Sequence, residues 1–160
     1  MTDVIKSVFK GKRQHRFERD KQIGRKGNLL MNVVRGLIIA DPWISYILDG
    51  KKTWEMRSGP TQVRGPFGLI SKGMGMISGV ATLAGVGWAL TPAEMLETRH
   101  LHQIPAELIR SGEVTKWNTP WIFTDARRLK TPVRYKQPSG AVTWVDFAVN
   151  VSQEIAAQLR

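Results

Sequence analysis

The sequence predicts an α+β fold: a small mixed β-barrel decorated with short helices and preceded by a basic N-terminal arm. Three observations predict it. Short runs rich in β-branched and aromatic residues recur between glycine and proline turns, as expected of strands that must close up or be covered to protect their edges. The helix signals between these runs are brief and capped. Positive charge is concentrated at the start, where residues 1–30 carry nine Lys or Arg against Asp3, Glu18 and Asp20, a balance of +6 within a total of +11.

At 160 residues the chain is long enough for one domain with a proper core. The arm, flexible or helical, occupies residues 1–30, and Met31 is a candidate true start. The composition changes abruptly at Leu29 and Leu30, so the domain is placed at 31–160. Residues 33–40 are rich in β-branched side chains and make the first strand. Asp41-Pro42 then opens a helix, with the aspartate accepting from first-turn amides and the proline at the first helical position. Gly50 closes it by taking the left-handed conformation, and Ile44, Ile47 and Leu48 form its buried face.

Residues 52–58 read as the second strand. Strands are also expected over 67–71 and 76–90, with glycines that mark bulges or barrel corners. Thr91-Pro92-Ala93-Glu94 has the capping-box spacing and starts a helix. Residues 105–110 suggest another, stopped by Ser111-Gly112. Segments 121–124, 128–135 and 142–147 are strand candidates, and Ser152 caps a last helix whose apolar positions are Ile155, Ala156 and Leu159.

The longest weakly polar stretch, 74–90, is broken by Gly75, Gly79, Gly85 and Gly87 and reads as sheet, so no membrane association is expected. Absence of cysteine removes disulfides, thiolate catalysis and cysteine-based zinc sites together, and fits a reducing compartment, with the cytoplasm as the default. His100 and His102 lack partners that would complete a zinc set and read as surface histidines; neither a metal nor a cofactor is expected. The two blocks of positive charge attract polyanions through counterion release and long-range steering. The arm could instead hold an acidic protein partner.

The most informative segment is Gly50-Lys51-Lys52-Thr53-Trp54-Glu55-Met56-Arg57, which sets an anion between cations beside aromatic rings. By residue type alone, a Lys-Glu-Arg trio on a strand reads as a solvated salt-bridge network. On a regular strand Glu55 and Arg57 share one face and Lys52 the other, unless Lys52 still belongs to the turn after Gly50. In that case its stem can swing over the same cleft.

The pattern Gly-x-Lys-x-x-Glu-x-Arg, filled by Gly50, Lys52, Glu55 and Arg57, resembles the signature of the ASCH domain family of the PUA-like superfamily. The layout around it is similar too, from Pro42-Trp43 through 67–72 to Trp121-Ile122-Phe123-Thr124 and on to 133. The resemblance implies a PUA-like mixed β-barrel with a cleft beside the motif that binds RNA or a nucleotide. It also implies two possible chemistries. Some similar proteins are ribonucleases. Small relatives hydrolyse acylated cytidine with a lysine and a threonine of the motif, but Glu55 stands here where that threonine would be, which counts against an amidohydrolase.

Expected RNA contacts are Lys51, Lys52, Trp54, Glu55, Arg57, Lys72 and Trp117: cations for phosphate, a carboxylate to orient the arginine, and indoles for stacking on bases. Trp121 reads as core. Metal-independent RNA cleavage needs a base, an acid and cations around the phosphate, and Tyr46, Lys52, Glu55 and Thr124 are the candidates if the protein is an enzyme. Recognition of RNA is the leading expectation. Ribonuclease activity is the alternative, and an amidohydrolase or a protein-interaction module ranks lower.

Overall fold

The computed structural model describes residues 32–141 and 143–160. The expected arm and its boundary lie outside the described residues. Among the described residues six strands form one curled half-barrel sheet in the order β2-β5-β4-β3-β1-β6, with β1 Arg35–Ile39, β2 Trp54–Arg57, β3 Gly65–Ser71, β4 Met76–Val86, β5 Thr119–Arg134 and β6 Trp144–Asp146. Pairing is antiparallel except for β1 with β3. Five short helices decorate the sheet among the described residues: α1 Trp43–Leu48, α2 Pro92–Glu97, α3 Arg99–His102, α4 Ala106–Ser111 and α5 Val149–Gln158.

Among the described residues, apolar side chains are buried in three clusters. Ile44 and Ile47 of α1 pack on Leu37, Phe67, Leu69, Leu83 and Phe123, on one face of the sheet. Val151 and Ile155 of α5 pack on Ile38, Ile70, Val80 and Val133, on the other face. Trp54 and Met56 of β2 meet Met95, Ile104 and Ile109 from the helical segment between β4 and β5. The alternation of inward and outward residues along β1, with Leu37 and Ile39 in one cluster and Ile38 in another, is the period-2 signature of a strand buried on both sides. Two packing glycines explain how the layers approach: Gly36 and Gly68 are register partners, and a Cβ at Gly36 would run into the ring of Phe147.

Several expectations need correction. The Asp41 carboxylate accepts from the Ser45 hydroxyl at 2.6 Å instead of a backbone amide, and Pro42 sits at the cap position of α1. Ser152 lies inside α5, which starts at Val149 with no side-chain cap, because Ala148 already has the extended backbone of a cap residue. The segments expected as two strands, 121–124 and 128–135, fall, apart from Tyr135, within the single 16-residue β5. That strand is irregular: Asp125 has a φ of 54°, and the register slips three times against β4. The widest slip sets Arg128 opposite Gly79 and Val133 opposite Ile77, so β5 makes an excursion between them. By contrast, Thr91 and Glu94 form the complete reciprocal capping box at α2, and Gly112, with a φ of 83°, ends α4.

Candidate functional site

The geometry of the Gly50–Arg57 segment begins with how α1 ends. The amide of Gly50 donates to Ile47 O at 3.1 Å and that of Lys51 to Tyr46 O at 2.9 Å, the paired reversed bonds of a Schellman motif with Gly50 at φ 75°. Lys52 follows as a second amide on Tyr46 O, at 3.0 Å, so the chain doubles back and sends the Lys52 side chain inward before β2 begins. Thr53 then ties the segment to α3 and β5 through Leu101 O and the Phe123 amide.

Lys52 is 2% exposed. Its ammonium has three acceptors: Trp54 O at 2.6 Å, His102 O at 3.0 Å and Glu55 Oε2 at 3.3 Å. An ammonium has three hydrogens and a neutral amine only two, so this set fits the protonated form. Burial holds Lys52 below its ordinary range, Glu55 opposes that, and Arg57 adds to the lowering. With every hydrogen directed at a protein acceptor, Lys52 offers no lone pair to act as a base.

Glu55, 8% exposed, turns its other oxygen to Arg57 Nε at 3.2 Å. The angle there is poor for a hydrogen bond and Nε has no better partner among the described residues, so the contact is an ion pair rather than a directed bond. The Arg57 Nη2 donates to Ile38 O at 3.2 Å. Since β2 and β1 are not neighbours in the sheet order, this bond links two strands across the mouth of the half-barrel. The guanidinium also lies 5.5 Å from the Trp121 ring centroid. Glu55 is thus the hinge of a buried cation–anion–cation chain.

A cavity of about 340 Å³ opens over this chain, within the roughly 300–1,000 Å³ usual for small-molecule sites. Its floor holds Lys52, Glu55 and Arg57; Trp43 and Trp117 stand at its sides, and Lys72 reaches in from the β3–β4 turn. Trp117 is 40% exposed, with Lys116 Nζ 4.4 Å from its ring centroid. Lys72 is exposed and carries no ion pair among the described residues.

The cavity therefore gathers Lys52, Glu55, Arg57, Lys72 and Trp117 from the residues expected in the sequence. Lys51 is exposed outside it, with its carbonyl held by Gln103. Trp54 is a correction: it is 3% exposed in the cluster with Met95 and Ile109, because it points from β2 toward the helices, and it has no free face for a base. Tyr46 packs its ring edge-on to Trp43 at 6.1 Å and does not line the cavity. Thr124 is exposed on β5 and hydrogen-bonded to Asp125, also outside the lining.

A family model for the ASCH domain matches residues 37–133, more than half of the chain. The chain belongs to the ASCH domain family. Its fold is that of solved ASCH structures. The ASCH protein of Zymomonas mobilis superposes with a TM-score of 0.59 at 14% identity, over 77% of this chain and 93% of that one. A serine-to-alanine variant from that organism gives 0.57 at 15% identity, over 79% and 96%. A tyrosine-to-phenylalanine variant gives 0.57 at 14%, over 77% and 96%. At such identity the likeness is one of fold. No curated protein matches the chain.

Within this ASCH domain, the sequence reading missed His102, expected at the surface. It is fully buried, with Nε2 2.8 Å from Met95 O and Nδ1 3.0 Å from the Ile104 amide. A carbonyl accepts and an amide donates, so the ring is neutral with its proton on Nε2. Burial pushes its pKa down to about 4, against the pull of the Met95 carbonyl, and Lys52 lowers it further. His102 thereby fixes the backbone carbonyl that receives Lys52. Nothing in its spacing from His100 could have revealed this, because the burial depends on how α3 packs beside Met95 and Ile104. Among the described residues, no group of three or more metal-ligating side chains is present.

Proposed function

We propose that this ASCH domain binds RNA or a nucleotide in the cleft over Lys52, Glu55 and Arg57. The observation that carries the proposal is a division of labour among the cations. Lys52 is spent on the protein's own carbonyls and on Glu55. Arg57 is tethered by Nε and Nη2, while Lys72 at the rim is exposed and without an ion pair among the described residues. The rim indole of Trp117 offers a stacking face, and the apolar side chains of Ile39 and Ile104 exclude water around a bound base. A net charge of +11 adds long-range attraction for a polyanion.

The family's proposed RNA binding supports this reading, as does the size of the cavity. Catalysis has less support: Lys52 lacks a free lone pair, and Tyr46 and Thr124 stand outside the lining. The test is binding of labelled RNA in EDTA by wild type, Trp117→Ala and Lys72→Ala. Both positions are exposed, so the fold survives their truncation. Weaker binding by both is expected with the RNA intact; unchanged binding by both removes the cleft as the site, and RNA cleavage abolished by Lys52→Ala would favour a ribonuclease.

A further inference from the structure

Across the end of the half-barrel, Ile39, Ser71, Met76 and Arg134 are successive register partners on β1, β3, β4 and β5. Ile39 lines the cleft, and so does Lys72, next to Ser71. At about 4.8 Å per strand, this row carries the surface roughly 14 Å from the cleft to Arg134. The row lies on the α1 side of the sheet, as does Arg128, which faces Gly79 and reaches Asp49 at the end of α1 at 2.6 Å.

Three cations lie at or near the β5 end of the row. Lys130, Arg134 and Lys136 are exposed, and none has an ion pair among the described residues. Lys130 sits on the excursion of β5, whose backbone is held at Thr131 by the side-chain amide of Gln158: Oε1 accepts from Thr131 N at 2.9 Å and Nε2 donates to Thr131 O at 2.9 Å. That pairing mimics a neighbouring strand. It fixes the backbone at Thr131, next to the exposed Lys130.

We infer that this basic strip is a track for the sugar–phosphate backbone of an RNA strand leaving the cleft past Lys72, so that the ligand is a strand of several nucleotides. The inference rests on the reading of the cleft as an RNA site and adds the direction and length of the ligand. Cations on an open strand also deter edge-to-edge aggregation. The two roles differ in one respect, since only a track couples these side chains to the length of the bound RNA.

The experiment compares a labelled RNA of about twelve nucleotides, long enough at about 3.4 Å per phosphate to run from cleft to strip, with a labelled dinucleotide. Fluorescence anisotropy over a salt series is read for wild type, for Lys130→Glu with Arg134→Glu, for the milder pair Lys130→Gln with Arg134→Gln, and for Trp117→Ala. The track predicts that the charge reversal weakens the longer RNA about tenfold or more, and that the neutral pair lowers its salt slope by roughly 1.4, two phosphate contacts at ~0.7 each. Dinucleotide affinity falls far less. Equal weakening of both RNAs would overturn the track and assign the effect to the overall field. Loss in Trp117→Ala alone would keep the cleft and overturn the track, and no loss in any variant would overturn both.

Discussion

Glu55 is the side chain on which the local electrostatics turn. It stands between two cations that are buried or partly buried, and one of them, Lys52, has no access to water that could replace its partner. Glu55→Ala should therefore cost about 3–5 kcal/mol, as for a buried ion pair broken on one side. A solvated network would cost under about 1 kcal/mol. Urea denaturation distinguishes the two. His102 provides a second residue-scale prediction, with its sign set by its low folded pKa. The unfolded ring takes a proton near 6.5 and the folded ring near 4, so stability is complete above 6.5 and falls as pH drops toward 4, by about 3 kcal/mol in all. In His102→Gln this slope should shrink, as read by melting temperature against pH.

At the scale of elements, the motif reads as a folding instruction as much as a binding site. Gly50 places the reversal after α1, and that reversal decides where Lys52 goes. Nothing crowds the position where a Cβ would stand, so Gly50→Ala tests the backbone alone. It should lower stability by about 1–2 kcal/mol through the left-handed conformation; a calorimetric scan showing no change would mean that the turn is not glycine-dependent. This element was legible in the sequence, because a helix stop and an apolar face have local signals. The same holds for the Thr91 capping box and the Gly112 stop. The 16-residue β5 was legible only as two separate strands, 121–124 and 128–135: the left-handed backbone at Asp125 breaks the pattern between them, and only pairing with β4 keeps the chain in one strand. Trp54 was misread for a related reason. Charged neighbours in sequence suggested a surface, whereas strand alternation directs the indole to a cluster formed by helices some forty residues later.

Across the whole molecule, the half-barrel brings β1 and β2 together at opposite ends of a path through β3, β4 and β5. Arg57 bridges them through Ile38 O. No local pattern in the sequence could reveal that bond, although the resemblance pointed to the segment that makes it. Arg57→Lys keeps the charge but lacks the planar fork that addresses Glu55 and Ile38 together. It should weaken RNA binding and loosen the mouth, seen as faster hydrogen exchange at the β1 and β2 amides. Because the floor cations are engaged with the protein, the exposed rim gives the cleaner functional test. The most direct measurement is the affinity of labelled RNA for Trp117→Ala, in EDTA and at fixed salt. Loss of one stacking face predicts a decrease of about 1–3 kcal/mol in binding with the melting temperature unchanged. Wild-type affinity in that variant would contradict the cleft as the place where RNA binds.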